Sequence, residues 1–316
     1  MANASRTPSK PALAYIGIGL MGWPMVKRLR GLGYAVAVFD IAAAQRELAR
    51  GAGARVAASP ADAVAGADLV LLNLPAPDAV GAAVFGENGV AAAMRAPQLL
   101  VDFSTIAVEQ GREYARRLRE RTGCAWVDAP VSGGPPASGS GTLTVMAGGD
   151  AADIERLTPF MADVAARFTH MGPVGAGLVA KMLNQLIVGC VHVVMAEAAS
   201  MAEAAGIDAA RLPECLAGGH ADGTLLQRLY PRMVARDFAP QGYARQLRKD
   251  LEMVNAFAGA LGTPVPMLQQ SLALYRQLVA AGRSELDTSA VFTLYDQRQI
   301  SGEDSAVPPT TTRRPA

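Results

Sequence analysis

The chain has 316 residues, which at about 150 residues per domain suggests two domains. Apolar residues make up 51% of it and charged residues 18%, with a formal net charge of +1. This balance excludes a disordered chain and a nucleic-acid binder that works through bulk positive charge.

Residues 1–11 read as a polar, frayed leader. Arg6 and Lys10 followed by an apolar run to Val26 have the outline of a signal peptide. Gly17, Gly19, Gly22 and Pro24 break that run as a continuous apolar helix, so the outline is set aside. Leu13–Ile18 reads instead as a strand and Met21–Leu32 as a helix ending near Gly33. Ala35–Phe39 is a second strand, closed by Asp40. Ser59-Pro60-Ala61-Asp62 has the make-up of a helix start, with Ser as N-cap and Pro in the first turn. Leu69–Leu74, Leu99–Asp102, Trp126–Ala129 and Thr142–Ala147 complete the predicted strands. Short apolar runs that alternate with helical periods imply a parallel α/β sheet.

After about Met171 the pattern turns wholly helical. Gly175–Gly206 reads as one long helix, apolar nearly all the way round, which must be buried between domains or between subunits. Its most apolar stretch, Met182–Ala196, is shorter than the roughly 20 residues of a membrane span and carries Asn184, Gln185 and His192. Asp208–Leu216, Leu225–Ala235, Arg245–Ala260 and Pro266–Ala281 are also helical in period. The expected division is therefore residues 12–172, doubly wound α/β of the Rossmann type, and 173–300, all-α, joined through the long helix. Residues 301–316, rich in Pro, Thr and charge, read as a disordered tail.

Three groups of residues carry chemistry. Gly17-Ile18-Gly19-Leu20-Met21-Gly22 is a GxGxxG turn between a predicted strand and a predicted helix. Its first glycine allows the tight turn, its second lets backbone approach a pyrophosphate, and its third lets helix and strand pack closely. Asp40, 18 residues after Gly22, suits the ribose hydroxyls of NAD and would repel a 2′-phosphate. NAD is thus preferred, with NADP as the alternative, and Arg46 is the weaker phosphate-binding candidate. Asp40 also has the make-up of an ordinary helix N-cap. Ser132-Gly133-Gly134 offers backbone N–H groups beside a hydroxyl, a small nest for a carboxylate, though a flexible Ser/Gly turn is equally composed this way.

Lys181 lies in the first two turns of the long helix, with Asn184 at i+3 and Gln185 at i+4 on the same face. Burial and a helix N-terminus both disfavour the charged amine, which suits a proton carrier. The plain alternative is a lysine that extends to solvent. Cys124, Cys190 and Cys215 form no CxxC pair, and a reducing compartment fits them. His170, His192 and His220 have no metal spacing and read as structural.

These residues resemble the β-hydroxyacid dehydrogenases. The signatures run in that family's order: GIGLMGWPM (17–25), Leu74-Pro75, DFST (102–105), DAPVSGG (128–134), GTLTVMAGG (141–149), GAGLVAKMLNQ (175–185) and LRKDL (247–251). The resemblance implies hydride exchange between the nicotinamide and a small 3-hydroxy acid or its semialdehyde. It makes Lys181 the catalytic lysine and Asn184 a substrate-holding residue. Ser132, Gly133 and Gly134 match the substrate-carboxylate loop. Leu74, Pro75, Thr105 and Lys249 match cofactor contacts, and Asp250 a structural position. The family usually has a second asparagine where this chain has Gln185. Contacts to the substrate side chain are expected from Phe238, Tyr243, Arg245 or His220. The alternatives are an imine reductase on the same fold, against which Lys181 counts, and a non-catalytic dinucleotide-binding relative. The chain is expected to be cytoplasmic and a homodimer or homotetramer, with no metal, nucleic-acid or membrane partner.

Overall fold

The computed structural model describes residues 10–296. The tails predicted over 1–11 and 301–316 lie outside this span, except for Lys10 and Pro11. Lys10 pairs with Asp163 at 2.9 Å and stacks over the Tyr34 ring.

Among the described residues nine strands form one sheet: β1 (Leu13–Ile16), β2 (Val36–Phe39), β3 (Arg55–Val56), β4 (Leu69–Leu72), β5 (Leu99–Asp102), β6 (Ala125–Asp128), β7 (Val131–Ser132), β8 (Leu143–Gly148) and β9 (Ala165–Gly172). Six of them run parallel in the order β3-β2-β1-β4-β5-β6. This is the order of the doubly wound dinucleotide fold, reversing direction between β1 and β4. Helices cover both faces, so β1, β4 and β5 are buried at every position. Each large apolar side chain buried there contributes about 1.5–3 kcal/mol relative to exposure. Beyond β6 the sheet changes sense. β8 runs antiparallel to β6 and β7, and β9 adds to β8 in parallel.

The alternating pattern found six strands within two residues of their observed bounds. It missed β3 and β7, which have two residues each, and β9, whose polar residues face solvent at a sheet edge. β1 stops at Ile16 rather than Ile18 because Gly17, at φ +89°, turns the chain out of the sheet. Ser59 does cap the helix Pro60–Val64, its hydroxyl accepting from the Asp62 N–H at 3.1 Å.

The long helix spans Ala176–Ala204. It is longer than its most apolar stretch because it continues through Lys181 and Glu197, and by length and composition alone it could cross a bilayer. Two compact units divide within it. One takes the chain up to Leu186 plus Asp250–Pro264; the other takes Ile187–Lys249 and the chain from Val265 onward. Burial on every side does not hold within one chain: Leu183, Ile187, Val194 and Met201 lie on one exposed stripe.

The second unit is helical. The run predicted over Asp208–Leu216 is a 3-10 turn (Ala209–Arg211) followed by Leu212–Leu216. Leu225–Ala235 is split into Thr224–Arg228 and Tyr230–Val234, because Pro231 lacks the N–H that would continue the first helix. Ala244–Ala260 begins in this unit, and Pro266–Ala280 packs within it. There Ser271 donates to the Gly189 carbonyl and Tyr275 to the Thr288 carbonyl, both at 2.9 Å. His192 Nδ1 lies 3.2 Å from the Tyr275 hydroxyl.

Candidate active site

The glycine turn leaves β1 at the sheet's carboxyl edge, beside the reversal point. A Cβ on Gly17 would fall 2.5 Å from the Asn73 carbonyl oxygen, and one on Gly22 would fall 2.3 Å from that of Gly17. Both glycines are therefore required by packing. A Cβ on Gly19 would meet nothing within 4 Å. This open backbone leads into the helix Gly22–Gly31, which has no side-chain cap; its Trp23 N–H donates to the Gly19 carbonyl at 2.9 Å, and Pro24 carries no N–H. The other backbone N–H groups of the turn and the positive end of the helix dipole suit a diphosphate. A dinucleotide thus fits the residues present: packing closes the turn at Gly17 and Gly22, and Gly19 leaves its rim open.

Asp40 follows β2. It is not the cap of the next helix, Ala43–Gly51, whose N-cap position is Ala42. One carboxylate oxygen accepts from the Ile18 N–H at 2.8 Å, the other from the Ala42 N–H at 2.8 Å. The carboxylate therefore ties the strand end to the glycine turn, and each oxygen keeps a second lone pair for a hydroxyl donor. Arg46 folds back, donating to the Asp40 carbonyl at 2.6 Å and the Ile41 carbonyl at 3.0 Å.

Leu74 and Pro75 follow β4, and Thr105 follows β5, so the sheet brings both to the same carboxyl edge as the glycine turn and Asp40. Sequence reading passed over Ser104, whose hydroxyl accepts from the Leu74 N–H at 2.9 Å. Ser104 is itself held by its own N–H, which donates to the buried Asp102 carboxylate at 2.9 Å. A serine two residues beyond a strand-ending aspartate was the available signal.

The Ser132–Gly134 loop starts in β7, paired with β8 through Ser132 and Thr144. Gly133 and Gly134 have φ of +121° and +70°, a backbone that other residues adopt only with strain. Lys181 is 8% exposed, and its Nζ donates to the Val131 carbonyl at 2.8 Å. The amine thus lies against the residue that precedes Ser132, rather than extending to solvent.

Asp128 ties the end of β6 to the start of the long helix, a role the sequence reading did not assign. This carboxylate, 1% exposed, ends β6 and accepts from the N–H of Gly175 at 2.7 Å and of Leu178 at 2.9 Å. It anchors the start of the helix that carries Lys181. Burial pushes the Asp128 carboxyl above the usual carboxylate range, against the downward pull of the backbone N–H groups. Gly148 and Gly177 make room for this anchor: a Cβ on Gly177 would fall 2.4 Å from the Met146 carbonyl oxygen.

Lys249, the remaining residue of the set, belongs to the second unit. Arg245 in that unit donates to Glu285 at 2.6 Å and stacks over Tyr243. Arg232 pairs with Asp237 at 3.0 Å.

Fold and turn together define a dinucleotide-binding protein of the Rossmann class. Residues 12–172 match the family of the NAD-binding domain of 6-phosphogluconate dehydrogenase, and residues 175–295 the NAD-binding domain of NADP-dependent 3-hydroxyisobutyrate dehydrogenase. The chain belongs to the β-hydroxyacid dehydrogenase family and is an NAD(P)-dependent oxidoreductase acting on CH–OH groups. It is 35% identical to the NAD-dependent L-serine dehydrogenase of Pseudomonas aeruginosa, covering 91% of this chain and 98% of that protein. With the 2-hydroxy-3-oxopropionate reductase of Escherichia coli it shares 33% identity over 88% of this chain and 95% of that one. The structure of Mycobacterium tuberculosis 3-hydroxyisobutyrate dehydrogenase with L-serine superposes with a TM-score of 0.80. Identity there is 30%, covering 91% of this chain and 100% of that one.

Proposed function

We propose that the protein oxidises a small 3-hydroxy acid to its semialdehyde, or runs the reverse reduction, with Lys181 as general acid/base. The observation that carries this reading is the buried Lys181 amine, 2.8 Å from the Val131 carbonyl and next to the Ser132–Gly134 loop. The relatives narrow the substrate class. L-serine, 3-hydroxyisobutyrate and the reduced form of 2-hydroxy-3-oxopropionate are all 3-hydroxypropanoates with one small group on C2. They share a carboxylate and a primary alcohol two bonds apart, so one anion nest and one proton carrier serve them all.

In this reading Ser132, Gly133 and Gly134 bind the carboxylate through hydroxyl and backbone N–H groups. Bound NAD(P) supplies the hydride acceptor in oxidation and the donor in reduction. Lys181 takes the hydroxyl proton in oxidation and returns it in reduction. Asn184 donates to the substrate oxygen, where negative charge develops. Gly17 to Gly22 hold the diphosphate, Asp40 the ribose, and Leu74, Pro75 and Thr105 the remaining cofactor surface of the first unit. Asp40 favours NAD; the folded-back Arg46 supplies a cation for NADP in its place. Residues 12–172 form the dinucleotide domain, and 173–300 the substrate and subunit domain. A second copy covers the Leu183, Ile187, Val194 and Met201 stripe in a cytoplasmic dimer or tetramer.

The test is turnover of the three hydroxy acids with NAD and NADP side by side, for wild type and Lys181→Ala. The expected result is NAD-linked oxidation by wild type, lost at least a hundredfold in the variant while NADH binding is kept. Near wild-type turnover by Lys181→Ala would overturn the assignment.

A further inference from the structure

Next to Lys181, three side chains of the first unit form a chain of amides ending on a carboxylate. Asn184 Nδ2 donates to Gln185 Oε1 at 2.8 Å, and Gln185 Nε2 donates to Asp250 Oδ2 at 2.6 Å. Asp250 is 7% exposed. It lies 65 residues further along the chain, on the helix Ala244–Ala260.

Two features set this arrangement apart from incidental surface contact. Adjacent residues on a helix point about 100° apart and do not ordinarily meet. Gln185 must turn back along the helix to reach Asn184, and the hydrogen bond to Asp250 holds it there. The chain of bonds also has a fixed sense. A carboxylate only accepts, so the Gln185 amide must present its nitrogen to Asp250. Its oxygen then faces Asn184, which must present its nitrogen in turn. The amide orientation of Asn184 is set by the chemistry of Asp250, two bonds away, rather than by Asn184 itself.

We propose that Gln185, anchored by Asp250, is a positioning residue that fixes the plane and sense of the Asn184 amide beside Lys181. One Asn184 N–H is used on Gln185. The second is thereby aimed and donates to the substrate oxygen as Lys181 takes the proton. A donor held in place before charge develops needs no reorientation during the step, and so acts on turnover more than on binding. The inference rests on the proposed function, in which Asn184 touches substrate.

The experiment is a double-mutant cycle between positions 184 and 185, measured with NAD and whichever of L-serine, 3-hydroxyisobutyrate and glycerate wild type oxidises best. Gln185→Leu, similar in size and without hydrogen-bonding groups, is expected to lower kcat about tenfold, with the KM for NAD unchanged. Gln185→Asn, one methylene too short to span both partners, should behave like it. Asp250→Ala should also match it, whereas Asp250→Asn, which keeps an acceptor oxygen, should restore kcat to within about threefold of wild type. In an Asn184→Ala background Gln185→Leu should cost less than twofold, since its effect passes through Asn184. Melting temperatures of all variants are recorded, and a purely structural role would lower kcat equally in both backgrounds. That outcome, or unchanged kcat in Gln185→Leu, overturns the relay while the proposed function stands. Wild-type turnover by Asn184→Ala overturns the Asn184 role, and the relay with it.

Discussion

Removing the Asp128 carboxylate tests how the fold holds Lys181, the proposed proton carrier. In Asp128→Ala the buried N–H groups of Gly175 and Leu178 lose their acceptors at 2.7 and 2.9 Å. A hydrogen bond to a charged group contributes about 1.5–3 kcal/mol, so the two together contribute about 3–6. Part of this is offset, because burial already disfavours the charged carboxylate. The net loss expected is about 3 kcal/mol, a large fraction of the 5–15 kcal/mol typical of a folded protein. Asp128→Asn keeps one acceptor oxygen and sets an NH2 against the other N–H, so about half that loss is expected. The anchored N–H groups lie at the start of the helix carrying Lys181, so kcat should fall at least tenfold in Asp128→Ala. The glycine turn is untouched, and NADH affinity should stay within about threefold. Urea unfolding, steady-state kinetics and a fluorescence titration of NADH read the three quantities. An Asp128→Ala protein that unfolds within about 0.5 kcal/mol of wild type and keeps its turnover would refute the anchoring argument.

Two further outcomes are expected. Burial lowers the His192 pKa from 6.5 to about 4, the Asp287 charge opposing this only in part. The folded state therefore keeps His192 neutral while the unfolded chain takes up a proton below pH 6.5. Its contribution is complete above about pH 7 and is lost as pH falls from 6.5 towards 4, by about 3 kcal/mol in all. Urea unfolding at a series of pH values should show this limb, and His192→Gln should flatten it; equal slopes would contradict the assignment. In the glycine turn, Gly22→Ala drives a Cβ to 2.3 Å from the Gly17 carbonyl oxygen and should lower both the melting temperature and NADH affinity. Gly19→Ala meets no protein atom, so it should leave melting within about 1 °C and still weaken NADH binding about tenfold or more. A Gly19→Ala protein with wild-type affinity would remove the diphosphate from that rim.

Much of the first unit was legible because its signals are local. A parallel strand buried on both faces must be a continuous apolar run, and β4 and β5 read that way without any partner in view. A GxGxxG turn between strand and helix states its own backbone requirement: Gly17 takes a positive φ, and a Cβ on Gly22 would fall 3.1 Å from the Tyr15 ring of β1 as well as 2.3 Å from the Gly17 carbonyl oxygen. The i+3 spacing from Lys181 to Asn184 likewise follows from helix geometry alone. Strands of two residues carry too little pattern to register, and β3 and β7 form only because a neighbouring strand offers them partners.

What the chain determined by itself was thus the order of elements, the turn and the set of chemically able residues. Only the tertiary structure decided which of these meet. Asp40 had the make-up of a helix cap, and folding made it a tie between β2 and the glycine turn. Asp128 and Asp250 stand inside the DAPVSGG and LRKDL signatures, but nothing in those runs says which groups they hold, and 47 and 65 residues separate them from those groups. The physical reason is that periodicity reports the backbone of one segment. A buried carboxylate is instead defined by the donors that other segments bring to it, and no sequence window spans both.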